Sequence, residues 1–465
     1  MNTQKNNSLG PFIVLTFIYF IVGFLTTVNG QFQGPLKIAF LSHADELRNT
    51  LTTFISFFFF LGYLLNSSLG GKWINVHGYK KTLLRALSIM VIGLLMYSLS
   101  SWLVVHYGDA RMLIFKDQVP YGYFIFLLGS YLMGTSAALL QVVINPYIAA
   151  YELPNTQPVQ RINIVCAINS FGTTIAPFFV TGIIFAGVTL ESVTADQLMF
   201  PFLMITLCII ITTLITSRLN LPDIQGTRVD NNNKPKHSIW SYQHLSLGVI
   251  ALFFYVGAEV SIGVNINLHA MELIENGHRF FCFGKSHIVV WGLDLGIPAL
   301  LATLYWGGLM VGRLIFSFFN NVSPRILLTV TTIIATILIL VAILTNNLWI
   351  LVSVGLCHSV MWGCIFTLAI KGLQQYTSKA SGILMMGVFG GAIFPVLQGI
   401  LADTWGSWQW TWIIALICEL VMHIMPFPDH ILKTHPKYNN HDVSISCLHR
   451  NRTCLIYFYV FIHDS

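Results

Sequence analysis

Residues 201–256 read PFLMITLCIIITTLITSRLNLPDIQGTRVDNNNKPKHSIWSYQHLSLGVIALFFYV, two apolar runs parted by a polar stretch. The flanking runs, 197–217 and 242–268, each meet the length of about 20 residues that a helix needs to cross a bilayer. Between them RVDNNNKPKH, Arg228–His237, has no apolar periodicity and reads as a solvated linker. The same ruler carried toward the N-terminus predicts helices over 11–33, 50–70, 82–104, 121–150 and 161–187. Carried the other way it predicts 294–319, 326–345, 348–372, 379–402 and 408–425. The linker therefore divides twelve crossings into six and six. The expected organisation is a short lead, 1–10, a six-helix bundle, 11–217, a linker, 218–241, a second bundle, 242–425, and an atypical tail, 426–465.

Composition agrees with that reading. The chain has 465 residues, 55% hydrophobic and 9% charged, against about 45–50% and about 25% in soluble domains. A soluble enzyme, a nucleic-acid-binding domain and a single-anchor receptor are all excluded by this balance. The expected class is an all-α membrane protein. The eight cysteines form no CxxC pair and have no histidine at ligand spacing, so neither a zinc site nor a disulfide framework is expected. The tail carries scattered charge and one short apolar run, LIYFYVFI, too short to cross a bilayer. It receives no functional role.

Charge placement orients the bundle. With both ends cytoplasmic, fourteen of the 24 Lys and Arg fall in the N-terminus and inner connections, six in outer loops and four in the tail. This obeys the positive-inside rule. The net charge of +6 is thus a feature of orientation and no sign of a nucleic-acid partner.

Chemistry has to come from polar groups at membrane depth, which are costly and so mark function. Glu259, within FFYVGAEVSIG of the seventh helix, leads; a carboxylate there costs about 2.5–3.5 kcal/mol on insertion scales. It is read as a proton-titrating or substrate-binding group facing a cavity, with an interhelical hydrogen bond as the alternative. In the fourth helix Gln141 and Asn145 stand one turn apart, and Pro146 interrupts the backbone ladder behind them. Asn29 and Gln31 in the first helix, Asn169 in the fifth and Asn265 in the seventh add amides. Amides donate and accept, which suits the hydroxyls of a neutral polyol, although they also tie membrane helices together.

Flat rings suit the apolar face of a sugar. Phe254, Tyr255, Tyr305, Trp306, Trp362 and Phe366 lie inside predicted spans, and Trp306 and Trp362 rise above an aromatic background of 13%. His358 is read as a neutral, hydrogen-bonded core imidazole with a proton relay as the alternative, Glu419 as peripheral, and Arg313 as a charge at a cytoplasmic helix end that snorkels or clamps. Glycines in LYWGGLMVGR and SKASGILMMGVFGGAI allow close, sliding helix contacts. Two six-helix halves around a mid-depth amide wall point to alternating access.

The connection GGKWINVHGYKK, with Gly71, Asn75, Gly78, Lys80 and Lys81, resembles the loop motif of the major facilitator superfamily, Asn75 standing where that motif has Asp. The blocks QRINIVCAINSFGTTIAPFF, FFYVGAEVSIG, HSVMWGCIFTLAIKGLQQYTSKASGILMMGVFGGAIFP and LQGILADTWG resemble the bacterial fucose and glucose/galactose permease branch over residues 11–425. The resemblance implies two pseudo-symmetric six-helix bundles in a bacterial cytoplasmic membrane, importing a monosaccharide with protons. Gly30 and Gln141 stand where that branch has acidic residues. Either Glu259 has taken over proton coupling, or transport is uncoupled.

The expected partners are therefore a monosaccharide, a proton and the lipid bilayer, for a monomer that uses no cofactor. The set Asn29, Gln31, Gln141, Asn145, Asn169, Glu259, Asn265, Trp306 and Trp362 is expected to hold the sugar, with Glu259 as proton carrier. An uncoupled facilitator, an amino-sugar transporter and a sugar sensor without flux are the alternatives. An enzyme is disfavoured, because no HExxH, no Ser and His frame and no paired intramembrane carboxylates occur.

Overall fold

The structure is a computed structural model that describes residues 9–151, 153, 158–184, 193–221, 239–277, 287–290, 293–316, 322–371, 373 and 377–424. The linker core Arg228–His237, the tail 426–465 and the side chain of Asn75 lie outside the described residues.

Among the described residues ten helical stretches are long and apolar enough to cross a membrane, and the shorter apolar helices Ile164–Phe179 and Gln409–His423 complete twelve. In chain order they are α1 (Leu9–Gln31) with α2 (Gln33–Ala39), α3 (Arg48–Tyr107), α4 (Tyr121–Ala150), α5 (Pro158–Phe179) and α6 (Asp196–Arg218). The second half holds α7 (Gln243–Glu275), α8 (Ile297–Phe316), α9 (Pro324–Thr345), α10 (Leu348–Ile370), α11 (Thr377–Gly387) with α12 (Gly390–Trp405), and α13 (Ile413–Ile424) after a short 3-10 turn. Helices prevail because a backbone in hydrocarbon must satisfy its own polar groups. Apolar side chains such as Leu207 and Leu214 on α6 and Ile337 and Leu344 on α9 are exposed. In water these faces would be an aggregation hazard; in a bilayer they meet lipid.

α3 is two crossings joined at Gly78, whose φ of 80° and ψ of 171° are strained for any residue with a Cβ. The loop motif thus turns on one residue. A Cβ at Gly71 would meet nothing within 4 Å, so nothing there requires glycine sterically. Lys81 is exposed, and Arg85 lies over the Trp73 ring at 5.3 Å.

At Gly390 the steric demand is severe, since a Cβ there would stand 1.7 Å from the Phe253 carbonyl oxygen. This contact seats α12 on α7. Gly390→Val is therefore expected to cost well over the roughly 1–3 kcal/mol of ordinary overpacking. The check is the yield of monodisperse protein from detergent, with Gly382→Ala, where a Cβ meets nothing within 4 Å, expected at wild-type yield.

Two hairpins, which composition does not reveal, decorate one face of the bundle. β1 (Arg111–Ile114) pairs with β2 (Asp117–Pro120), and β3 (His287–Val290) with β4 (Leu293–Gly296), both antiparallel. Asp117 accepts the main-chain N–H groups of Asp45, Glu46 and Leu47 at 2.8, 3.0 and 2.6 Å. Burial opposes its charge, yet the three amide donors prevail and hold its carboxyl below the ordinary carboxylate range.

The same few residues are gripped from the other half. Asp403, near the end of α12, accepts from the Asn49 main-chain N–H at 3.2 Å, the Asn49 amide at 2.8 Å, the Thr50 N–H at 2.8 Å and the Thr50 hydroxyl at 2.6 Å. A carboxylate from one half thus caps the N-terminus of α3 in the other, where the helix dipole favours an anion. Beneath it Gln31 bonds the Gly263 carbonyl at 3.4 Å and Asn267 reaches Gln31 at 3.5 Å. The hairpin face is therefore shut along the seam of α1 with α7 and α3 with α12.

Candidate functional site

The middle of α7 carries a carboxylate into a cluster with α8 and α10. Glu259 is half-buried, and Tyr255, one turn earlier, donates to its Oε1 at 2.9 Å. The Tyr255 hydroxyl also lies 3.0 Å from the His358 carbonyl on α10. From α8 the Tyr305 hydroxyl reaches the Glu259 main-chain oxygen at 3.1 Å and His358 Nδ1 at 2.6 Å. On the far side of the imidazole, His358 Nε2 meets Glu419 Oε1 at 2.7 Å.

These contacts correct the reading of Glu419. Far from peripheral, Glu419 and His358 are both 0% exposed. α13 presents Glu419 inward because an ion in hydrocarbon needs a partner, and His358 supplies it. Glu419 Oε2 has no hydrogen-bond partner among the described residues.

Arg313 is also more than a helix-end charge. Its Nε donates to the Ser359 carbonyl at 3.3 Å and its Nη1 to the Ser170 hydroxyl on α5, so it bridges the halves. It stands within electrostatic reach of Glu259 on one side and of Tyr19 on the other. Sequence reasoning passes over Ser170, Tyr19 and Tyr63, whose hydroxyls sit among many apolar or aromatic neighbours.

The first half answers with half-buried amides. Gln141 donates to the Tyr63 hydroxyl at 2.9 Å, and Tyr63 also meets Thr26. Asn145 bonds the Tyr19 hydroxyl, and Asn169 donates to the Tyr19 carbonyl at 2.7 Å. Each amide has further donor or acceptor capacity beyond the bond named. The structure therefore brings Gln141, Asn145 and Asn169 to one wall.

Asn29, Asn265 and Gln31 stand elsewhere, while the two tryptophans lie beside the tyrosines of the cluster. Asn29 is 2% exposed, and its Oδ1 accepts from Tyr97 and Ser130 hydroxyls, which makes it a tie among α1, α3 and α4. Asn265 is buried against Gln398, bonded at 2.8 Å, and Gln31 belongs to the hairpin-face seam. Trp306 is 7% exposed with its indole N–H unpartnered among the described residues, while Trp362 is half-buried beside Tyr255. At Gly30 a Cβ would stand 2.7 Å from Val264 Cγ2. Val264 thus fills the space that an acidic side chain at that position would need.

Comparison with known proteins places this architecture. A "Glucose/galactose transporter" of Brucella abortus biovar 1 (strain 9-941) is 31% identical over 423 residues, covering 90% of this chain and 93% of that protein. A "Putative glucose/galactose transporter" of Helicobacter pylori (strain J99) is 28% identical, covering 86% and 91%. A crystal structure of the Escherichia coli fucose:proton symporter, in a single-site variant, superposes with a TM-score of 0.62 at 20% identity, over 91% of this chain and 99% of that one. The family model described as Major Facilitator Superfamily matches residues 12–393. With twelve helices in two halves and a matched span covering most of its length, the chain belongs to the Major Facilitator Superfamily.

Proposed function

We propose that the protein imports a hexose or deoxyhexose by alternating access, the half 11–217 rocking against the half 242–425, with a proton carried on Glu259. The observation that carries the reading is Glu259 itself: a half-buried carboxylate at mid-helix, held by the Tyr255 hydroxyl and within electrostatic reach of Arg313, which bonds across to Ser170 of the other half. Such a group is stable there only with a proton, a partner or water, so a transported proton and a sugar hydroxyl suit it. Gln141, Asn145 and Asn169 offer the sugar several hydrogen bonds of about 0.5–1.5 kcal/mol each, strong together and weak singly. The Trp306 indole N–H, unpartnered among the described residues, adds a donor, and Trp362 a ring face. The names of the Brucella and Helicobacter relatives support a hexose.

The protein works as a monomer in a bacterial cytoplasmic membrane. Both termini are cytoplasmic and the hairpin face is turned outward, as the distribution of Lys and Arg supports. Replacement of acidic residues by Gly30 and Gln141 favours the second reading, an uncoupled facilitator. Proteoliposome uptake of labelled D-glucose, D-galactose and L-fucose, with and without an inward proton gradient, tests both. Saturable flux that the gradient drives uphill is expected. Saturable but strictly downhill flux selects the facilitator, and no saturable flux of any sugar overturns transport.

A further inference from the structure

Behind Glu259 lies an ionisable pair that touches neither cavity nor lipid. Glu419 and His358 are bonded at 2.7 Å and both wholly buried, on helices α13 and α10 that pack with α7 and α8. Packing alone would use apolar residues at such a place, since a buried ion pair gains little over them. The pair is wired to the site through one hydroxyl. Tyr305 donates to the Glu259 carbonyl at 3.1 Å, and the same hydroxyl meets His358 Nδ1 at 2.6 Å.

We propose that Glu419 is a positioning residue for proton coupling: its bond to His358 Nε2 orients that ring, and the ring with its Tyr305 bridge fixes the surroundings in which Glu259 takes up and releases its proton. This rests on the reading of Glu259 as the proton carrier. No bond beyond O–H and N–H changes. The transported proton goes on and off the Glu259 carboxylate, while the proton between Nε2 and Oε1 stays in place. If Glu419 is replaced by Gln, the carboxylate that holds His358 Nε2 is gone, the ring and the Tyr305 hydroxyl against it are no longer fixed, and the bond at the Glu259 carbonyl is loosened.

The other groups facing this cluster are few. Tyr255 on α7, Arg313 on α8, Cys357 on α10 and Cys418 on α13 stand beside it, and Tyr19 faces Arg313 from α1. On α9, α11 and α12 the ionisable residues are Arg325, Lys379 and Asp403, all at helix ends. On α7 itself His244, His269, Glu272 and Glu275 lie 15, 10, 13 and 16 residues from Glu259, nearly three turns away or more.

The test is the pH profile of labelled D-galactose uptake in proteoliposomes of the full chain. Glu419→Gln is expected to move the midpoint by about one unit, a tenfold change in proton concentration, the low end of what altered surroundings do to a buried carboxyl. Tyr305→Phe should move it in the same direction, and the double variant no further than the larger single shift. A lowered rate with an unmoved midpoint in both variants would make the pair structural and overturn the proposal. If Glu419→Gln gives no folded protein, Tyr305→Phe decides alone by the same criterion. A profile that survives in Glu259→Gln would instead remove Glu259 as the carrier, a distinct failure.

Discussion

Glu259→Gln should abolish accumulation of hexose against its gradient while leaving equilibrium exchange within about twofold of wild type. The substitution preserves shape, and the Gln carbonyl still accepts the Tyr255 hydroxyl that now reaches Oε1 at 2.9 Å. What disappears is the second protonation state. One pH unit across the membrane is worth about 1.4 kcal/mol, so a one-to-one symporter concentrates its sugar about tenfold at that gradient without a membrane potential. The variant should equilibrate at a ratio of about one, read as steady-state labelled sugar inside and outside vesicles. A Gln variant that still concentrates sugar would move coupling to another group.

Asp403→Ala is expected to open the hairpin face. The carboxylate accepts four hydrogen bonds from Asn49 and Thr50, two of them from main-chain donors at the start of α3. Bonds to a charged acceptor contribute about 1.5–3 kcal/mol each. Even roughly 3 kcal/mol of the total would shift the equilibrium between shut and open more than a hundredfold. Cysteine placed at Gln31, just below the clasp, reads the change. Labelling from the hairpin side by an impermeant maleimide should accelerate over the same cysteine with Asp403 intact, by up to about a hundredfold, the ceiling that this free energy sets. Equal rates would show that the clasp does not govern access.

The twelve crossings are legible because length and apolarity alone decide whether a segment spans, whereas Gly78 is picked out only by the loop motif that its stretch resembles, and its backbone shows why glycine stands there. Glu259 stands out as a lone carboxylate in an apolar run. Glu419 looks equally lone, and its partner is 61 residues away on another helix, where no local pattern reveals it. Asn29 reads as a cavity amide, but periodicity cannot tell a side chain facing the seam from one facing Tyr97 and Ser130. The roles of Tyr19, Tyr63 and Tyr305 are hidden for a different reason: a ring satisfies burial so well that nothing in the sequence says where its hydroxyl points.

Asp117 and Asp403 grip adjoining stretches, residues 45–47 and 49–50, from opposite halves of the molecule. Only the second grip has to release when the halves part. The first stays, so the peptide that must be caught again is already frozen in the receptive shape, and each closing stroke is spared the disorder that a free loop would bring. Turnover can then be quick in both directions, because recapture needs only a rigid approach and no search.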